Sequence, residues 1–313
     1  NGHRLVMKAG YTEAPDVGVV LYVYKDGVIP STNCGVKNLS TDIPYVNSIN
    51  VFSADNILIE NNTLNNATKS GIMISDEYGS TVNGIIRGNT INNVGDDAIA
   101  VYGNHSNLLI DSNRISGAKG FAGIAISCLQ NGQQIRVDNE TTGPHDIIVT
   151  GNVVSGCSGE ALYCIGSYKT YITYNTLRDS ILEGVCLDSG CIGNYFAHNE
   201  VVNNGIAGGL PGVSIDNGIY NIVDSNNVYN NSCSGIKLVR TGLGNIIVNN
   251  ICTDNAYNQM GAKSSGIDIE PLAVETENLG YIDGLGSNWN VVLNNTVTGS
   301  HDFGVFIADD DTA

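Results

Sequence analysis

The chain of 313 residues is poor in basic and aromatic residues and has a single tryptophan. Its 14 Lys and Arg stand against 31 Asp and Glu, which gives a formal net charge of −17. A strongly acidic protein repels nucleic acids and anionic lipid surfaces, so the sequence argues against both as partners. The same charge disfavours a polyanionic glycan unless calcium bridges the like charges.

Long apolar runs, linkers, proline-rich segments and blocks of like charge are also missing. No run of 18 apolar residues occurs, so we expect no membrane-spanning helix. The chain starts at Asn1 without a Met or a signal peptide, which is typical of a mature product or an excised domain. Length alone would allow two domains, but the uniform composition favours one domain over residues 1–313.

No cysteine or histidine spacing is typical of a zinc site, and we predict neither a resident metal nor a required cofactor, with calcium left open. Of the eight cysteines, Cys164 and Cys252 are expected to be small buried hydrophobes, and Cys186 and Cys191 could bridge across a bend. Sequons such as Asn38-Leu-Ser favour a secreted or cell-surface protein. The oligomeric state stays open.

What the chain has in abundance is a repeat built around asparagine. Each copy has an apolar run, an Asn two residues before another apolar residue, and a Gly-bounded strand. The Asn positions are 62, 89, 113, 152, 175, 199, 226, 249 and 295, and six of the eight gaps span 23 to 27 residues. A fixed period of this size is typical of a solenoid, in which stacked coils bury a continuous core.

The Gly-bounded strands alternate apolar and other residues with a period of two, as in Gly71–Ser75 (GIMIS) and Gly184–Asp188 (GVCLD). We predict inward pairs from Ile72/Ile74 to Val305/Ile307. Stacked coils would lie about 4.8 Å apart. Equivalent asparagines would then hydrogen-bond into a ladder along the solenoid.

This repeat resembles the right-handed parallel β-helix of the pectate-lyase-like superfamily over roughly residues 50–310. The resemblance implies an all-β fold, a single solenoid of about ten or more coils with an asparagine ladder. The superfamily holds lyases, hydrolases, epimerases, transferases and non-catalytic fibres, so fold alone does not assign an activity.

Three segments depart from the repeat. Residues 1–50 are expected to form irregular first coils, which a missing N-terminal part could precede. Residues 128–145 and 271–286 are expected to be inserted loops that leave from the same place in their coils. Loops inserted on one side of a solenoid often line its binding face.

The outward positions of the Gly-bounded strands concentrate charge in neighbouring coils. The candidate catalytic acids are Asp188, Asp216, Asp268 and Glu270, and Lys237, Arg240 and Tyr163 are predicted to position substrate. Asp188 and Asp216 would lie one coil apart, and Asp216 and Glu270 two coils apart, or about 9.6 Å. Glycoside hydrolysis needs two carboxyl groups about 5–9.5 Å apart.

A second column precedes these strands and contributes Asp97, Glu160 and Glu183 as further candidate substrate-binding acids. The stretch Gly95-Asp96-Asp97-Ala98 is similar to the Asp-Asp strand start of polygalacturonases. Ser70 and Ala122 occupy the positions where that family has an acid and a His-Gly. The similarity at Asp96 and Asp97 therefore does not predict polygalacturonase activity for this chain.

The sequence predicts a carbohydrate-active enzyme that binds an oligo- or polysaccharide on its outer face. A glycoside hydrolase is the favoured interpretation. A calcium-dependent lyase or epimerase of uronic-acid polymers, with Lys237 as base, is one alternative. A non-catalytic glycan-binding adhesin or fibre domain is another.

Overall fold

The protein was analysed as a computed structural model that describes residues 17–21, 31–77, 79–128, 143–240, 242–256, 265–270, 289–299 and 302–308. Every regular element in these residues is a β-strand. The strands form three parallel sheets, and the chain visits the sheets in turn. The predicted all-β solenoid of about ten or more coils is confirmed.

The strand bounds follow from this cyclic path. The first sheet contains, in order, Val17–Leu21, Asn47–Phe52, Ile72–Ser75, Ile99–Tyr102, Ile124–Ser127, Leu162–Ile165, Val185–Asp188, Val213–Asp216, Ile236–Val239, Ser265–Glu270 and Phe303–Ile307. The second sheet contains Ser31–Thr32, Gly35–Lys37, Ala54–Glu60, Val82–Arg87, Ser106–Asp111, Ile148–Thr150, Tyr171–Thr173, Tyr195–Ala197, Ile222–Asp224, Ile246–Val248 and Val291–Leu293. The third sheet contains Ser40–Thr41, Thr63–Asn65, Thr90–Asn92, Arg114–Ser116, Val153–Ser155, Thr176–Arg178, Glu200–Val202, Asn227–Tyr229, Ile251–Thr253 and Thr296–Thr298.

The side chains of alternate residues in each strand fill the interior between the three sheets. In the first sheet the predicted inward residues are buried from Ile72 to Ile269. Burying a side chain of this size contributes about 1.5–3 kcal/mol. A strand of three or four residues supplies only one or two such side chains, so each coil depends on its neighbours.

The predicted inward residues of the last strand are an exception. Val305 and Ile307 are exposed, although they occupy the positions of Ile267 and Ile269 in register. Phe303–Ile307 is the final strand of the first sheet, and no further strand in the described residues stacks on it. The prediction of burial was therefore wrong at this end of the solenoid.

The asparagine ladder runs along the bend between the second and third sheets. Each side-chain amide donates to the side-chain oxygen of the next member at 2.8–3.1 Å. Each amide also donates to a backbone carbonyl, as Asn175 Nδ2 does to Val149 O. The ladder members are Asn62, Asn89, Asn113, Asn152, Asn175, Asn199, Asn226, Asn250 and Asn295.

One predicted ladder member was wrong by a single residue. Asn250 lies in the ladder, whereas Asn249 lies outside it with a φ of 58° and donates to Asp224. Both asparagines precede an apolar residue, but the buried residue of this strand is Cys252 rather than Ile251. The ladder residue stands two positions before the buried side chain.

Two shorter ladders were not predicted. One joins Asn194, Asn221, Asn245 and Asn290 before the second sheet. The other joins Asn204, Asn231 and Asn255 after the third sheet. Amide stacks therefore brace all three corners of the coils in the C-terminal half.

The eight cysteines, all of which lie in described residues, are free thiols, so Cys186 and Cys191 do not form the bridge considered above. Cys164 and Cys252 are buried, as predicted. Residues 129–142 and 271–286 of the expected insertions lie outside the described residues, as does most of the segment 1–30. Within the described part of the chain, no apolar helix is long enough to span a membrane.

Candidate functional site

The outer face of the first sheet carries an apolar cluster of its own, separate from the solenoid interior. It contains Ala122, Ala125, Tyr163, Ile165 and Cys186, with Tyr102 and Phe121 packed against them. The Phe121 and Tyr163 rings meet edge to face, with centroids 4.9 Å apart. Carboxyl groups beside this cluster are partly removed from water, which favours their protonated form.

Four carboxyl groups surround the buried thiol of Cys186: Glu160, Glu183, Asp188 and Asp216, here called the acid cluster. Burial, followed by the charges of these four groups, raises the pKa of Cys186 well above its usual range. Tyr163, Cys186 and Ser214 are register neighbours, so the acid cluster spans three successive coils. With Tyr163 and Arg240, which contact Asp188 and Asp216, the structure brings together six of the ten predicted site residues.

A glycine holds the bend that presents Glu183. A Cβ on Gly184 would lie 2.4 Å from Val201 Cγ1 and 2.8 Å from the carbonyl oxygen of Gly212. Both contacts are closer than packed atoms tolerate, so the chain can turn here only without a side chain. The Gly-bounded strand in the sequence is therefore required by the packing under the site.

Asp188 is held in place by three hydrogen bonds. Tyr163 Oη donates to Asp188 Oδ2 at 2.7 Å from the preceding coil. The backbone N–H and the hydroxyl of Ser189 donate to Asp188 Oδ1 at 2.5 and 2.9 Å. The tyrosine was predicted to bind substrate, but its hydroxyl is used to orient a carboxylate, and Ser189 was not predicted at all.

Asp216 has one engaged oxygen and one free oxygen. Arg240 Nη2 lies 3.0 Å from Asp216 Oδ2, while Asp216 Oδ1 is buried and has no hydrogen-bond partner. Burial raises the pKa of Asp216 to about 6, although Arg240 acts to lower it and Asp188 acts to raise it further. No hydrogen-bond donor is directed at this oxygen, so it can carry a proton.

Glu160 and Glu183 occupy the neighbouring column and are also desolvated. Burial raises the pKa of Glu183 to about 7, with smaller contributions from the charges of Glu160, Asp216 and Asp188. Burial likewise raises the pKa of Glu160, and the charge of Asp188 adds to the effect. Glu160 Oε2 is buried without a hydrogen-bond partner.

The other two predicted catalytic acids, Asp268 and Glu270, form a separate group around Lys237. Lys237 Nζ lies 2.8 Å from Glu270 Oε2 and 3.6 Å from Asp268 Oδ2, and Ser234 Oγ donates to Asp268 at 3.3 Å. Glu270 and Asp216 lie on either side of Val239 in register and pair with different cations. The predicted combination of Asp216 with Glu270 is therefore divided between two ion-paired groups.

The protonation of Lys237 bears on its predicted role as a base. Burial lowers the pKa of Lys237, but the hydrogen bond from Lys237 to Glu270 and the charges of Asp268 and Glu270 outweigh this, so its pKa is raised. Burial raises the pKa of Asp268 to about 6, against the lowering effect of Lys237. Lys237 is thus held as an ammonium ion, which cannot accept a proton.

Asp97 lies two coils before Glu160 in the same column. Its carboxyl group is fully buried, accepts a hydrogen bond from Tyr102 Oη and accepts another from the Ala122 N–H at 2.9 Å. Burial raises the pKa of Asp97 to about 7, despite the lowering effect of these hydrogen bonds. Its acceptor atoms are both used inside the protein.

In the described ranges, no set of three or more His, Cys, Asp or Glu side chains is arranged to hold a metal ion. In the acid cluster, burial raises the pKa values of Glu160, Glu183 and Asp216.

Solved structures with similar folds include carbohydrate-processing proteins. A double mutant of the periplasmic alginate epimerase AlgG superposes with a TM-score of 0.56 at 16% identity, covering 88% of this chain and 65% of that one. The catalytic unit of the thermostable GH87 α-1,3-glucanase from Streptomyces thermodiastaticus strain HF3-3 gives a TM-score of 0.58 at 16% identity, covering 90% and 51%. This chain spans less than two thirds of either structure.

At this identity the two structures show a shared fold and no more. No curated protein gives a significant sequence match. The family described as right handed beta helix region matches residues 22–142 and 135–313. Together with the three parallel sheets, this match shows that the chain belongs to the right-handed β-helix family.

Proposed function

We propose that the protein is a glycoside hydrolase that acts on a neutral glycan, with Asp216 as proton donor and Asp188 as its carboxylate partner. The observation that carries the proposal is the contrast between these two neighbours. Asp188 is fixed by three hydrogen-bond donors, while Asp216 is desolvated and keeps a free oxygen. Glycosidic cleavage needs one carboxyl group of each kind.

We propose a retaining reaction, because the two acids stand on adjacent coils. Asp188 and Asp216 end strands that are paired in register, so their backbones lie about 4.8 Å apart. Retaining enzymes place their two carboxyl groups about 5–5.5 Å apart, whereas inverting enzymes need about 6.5–9.5 Å. In the proposed step, Asp216 protonates the glycosidic oxygen as that bond breaks, and Asp188 attacks the anomeric carbon. Water then releases the sugar from Asp188, with Asp216 accepting its proton.

The other two acids of the cluster are assigned to binding. Glu183 lies on the coil of Asp188, Glu160 lies on the coil before it, and both are desolvated. The free, buried Glu160 Oε2 is an acceptor that a sugar hydroxyl would satisfy. Arg240 sets the protonation of Asp216, and Tyr163 orients Asp188.

A neutral glycan suits the charge of the site. Four carboxyl groups within three coils, in a chain of net charge −17, repel a uronic-acid polymer. The eliminative alternative loses its proposed base, because Lys237 is held as an ammonium ion by Asp268 and Glu270. As with the periplasmic protein of similar fold, we propose a location outside the cytoplasm.

The test measures reducing ends released from laminarin, dextran and galactomannan. Asp188→Asn and Asp216→Asn should each lower kcat at least about 100-fold. Glu200→Gln is the matched control, because Glu200 also accepts a hydrogen bond from a tyrosine, Tyr229, but lies on the third sheet. Wild-type turnover in both cluster variants would overturn the site assignment. Glycan binding without any product would favour the adhesin, and an unsaturated uronate product would favour the lyase.

A further inference from the structure

A second surface of the solenoid carries exposed aromatic rings that the acid cluster does not use. Tyr171 is 49% exposed, Tyr174 is 65% exposed and Tyr220 is 57% exposed. They lie with Tyr195 and His198 on or beside the second sheet, and these five residues are here called the aromatic face. Exposed rings in contiguous coils of a soluble protein mark a binding surface.

The rings are paired between neighbouring coils. The parallel register places Tyr171 beside Tyr195, and their centroids are 6.3 Å apart. Three residues further along, Tyr174 and His198 stack at 5.1 Å with planes only 13° apart. Tyr174 and His198 both have positive φ, so the bend turns these two rings outward together. The Tyr171 and Tyr195 rings are tilted by 57° to each other, so the two pairs form a row of rings across neighbouring coils rather than one flat surface.

A third pair lies toward the corner of the first sheet, where the Tyr168 ring is buried and does not add to the exposed surface. His145 and Tyr168 are register neighbours whose rings stack at 4.6 Å with planes 17° apart. Lys169 Nζ lies 5.7 Å from the centre of the Tyr168 ring.

A notch lies within the aromatic face at Gly193. A Cβ built on Gly193 would meet no atom within 4 Å, so the surface above this residue is open. On the next coil the Tyr220 ring lies over Gly244, because a Cβ built on Gly244 would come within 2.6 Å of Tyr220 Cδ1. The ring is therefore directed away from the notch. The notch therefore opens between the rings of Tyr195 and Tyr220.

The polar groups on the aromatic face identify the chemistry of its ligand. Tyr195 Oη is directed by a hydrogen bond to Asp224 at 2.9 Å, and Thr173 and Lys169 lie beside the rings. A pyranose has an apolar C–H face, which packs on an aromatic ring, and a rim of hydroxyl groups, which need polar partners. A protein partner would instead favour an apolar centre depleted in charged residues.

We propose that the aromatic face is a second, non-catalytic binding site for a neutral glycan chain, with sugar rings stacked on Tyr171 and Tyr174 and one ring seated over Gly193. Asp224 and Asp146 make the face slightly acidic, which disfavours an anionic glycan. The inference stands whether or not the acid cluster is catalytic, because it uses none of the four acids.

The experiment uses the full chain with the substitution Asp188→Asn, so that no glycan is consumed. Affinity electrophoresis through laminarin, dextran and galactomannan measures binding. Tyr171→Ala and Tyr174→Ala should each weaken binding to the retarding glycan about 10-fold, a loss of about 1.4 kcal/mol. Both residues are exposed, so these variants should fold. Gly193→Asn keeps the positive φ, fills the notch and should weaken binding with every ring intact.

Phe303→Ala is the control, because Phe303 is an exposed aromatic residue on the first sheet, away from the aromatic face. Unchanged retardation in the Tyr171, Tyr174 and Gly193 variants would overturn the proposal, as would absence of retardation by all three glycans. A change of oligomeric state in the tyrosine variants, measured by light scattering, would assign the face to a second copy instead. Loss of hydrolysis in Asp188→Asn with binding retained would leave both proposals standing.

Discussion

Tyr163 donates a 2.7 Å hydrogen bond to Asp188 from the preceding coil, so a residue 25 positions earlier in the chain fixes the orientation of a carboxylate at the candidate site. The same kind of contact joins Tyr229 and Glu200 on the third sheet at 2.6 Å. The two pairs differ in their surroundings, since only Asp188 lies in a cluster of acids.

Removing the Tyr163 hydroxyl tests its role as a positioning residue. Tyr163→Phe keeps the packed ring but leaves Asp188 with only the donors from Ser189. We expect kcat on a neutral glycan to fall about 10-fold with KM little changed, because one charge-assisted hydrogen bond contributes about 1.5–3 kcal/mol. Tyr229→Phe should leave kcat unchanged. An equal effect of both substitutions on kcat would contradict a specific role for Tyr163.

Arg240 should set the basic limb of the pH profile. Asp216 must be protonated to act as acid, so kcat/KM should fall as pH rises through about 6, the pKa of Asp216. Arg240→Gln removes a charge that lowers this pKa, so the basic limb should move to higher pH. Arg240→Lys keeps a positive charge and should give a limb nearer the wild type. If the basic limb of the kcat/KM profile lies at the same pH in Arg240→Gln as in the wild type, Asp216 is not the acid.

Asp97 should make the protein less stable as pH rises. Its folded pKa of about 7 lies above the ordinary value of a carboxyl group, so the folded state holds a proton that the unfolded state releases. This contribution is fully present below about pH 4 and is lost as pH rises through about 7. Glu183, Asp216 and Asp268 act in the same direction.

Asp97→Asn tests this by removing one titrating group while keeping an acceptor for the Ala122 N–H. Between about pH 5 and about pH 8, the fall in the free energy of unfolding should be about 2–3 kcal/mol smaller than in the wild type. Urea denaturation at each pH gives the measurement. Identical pH dependence in both proteins would show that Asp97 is ionised in the folded state.

The neighbouring pair Asn249 and Asn250 tests the register of the ladder. Asn250→Ala removes the acceptor for Asn226 and the donor to Asn295, and it leaves buried partners unpaired. We expect it to lower the free energy of unfolding by about 2–4 kcal/mol. Asn249→Ala, at an exposed bend, should cost less than about 1 kcal/mol. Urea denaturation measures both losses. A larger loss in Asn249→Ala than in Asn250→Ala would place Asn249 in the ladder.

Lys237 should stabilise the fold rather than supply a base. Lys237→Met leaves the buried carboxyl of Asp268 without its cation, which should cost about 3 kcal/mol at neutral pH. Adding Asp268→Asn removes the uncompensated charge and should recover part of this loss. Additive losses in the double variant would show that the two side chains do not interact.

Much of the fold could be predicted because the sequence repeats its own geometry. Alternation in strands such as Val185–Asp188 defines an inward face, and the recurring asparagine defines a corner. Asn249-Asn250 was ambiguous because either asparagine satisfies the local pattern. Only the packing of Cys252 into the interior distinguishes them.

The sequence predicted which residues belong to the candidate site better than it predicted which of them contact each other. Register alone places Asp188 next to Asp216. It does not reveal that Glu270 turns to Lys237, or that Asp216 turns to Arg240, because those choices depend on side-chain direction. The aromatic face had a visible signal that was not used: Tyr171 and Tyr195, like Tyr174 and His198, are 24 residues apart, one repeat of the solenoid.

The strand order along each sheet shows that every coil touches only the coil before it and the coil after it. Deleting the whole coil from Asn89 to Ser112 would bring Asn62 against Asn113 and shorten the molecule without moving Asp188 or Tyr171 relative to each other. Such a protein can evolve by gaining or losing entire turns away from its working surfaces. Its length and its chemistry are therefore separately adjustable traits.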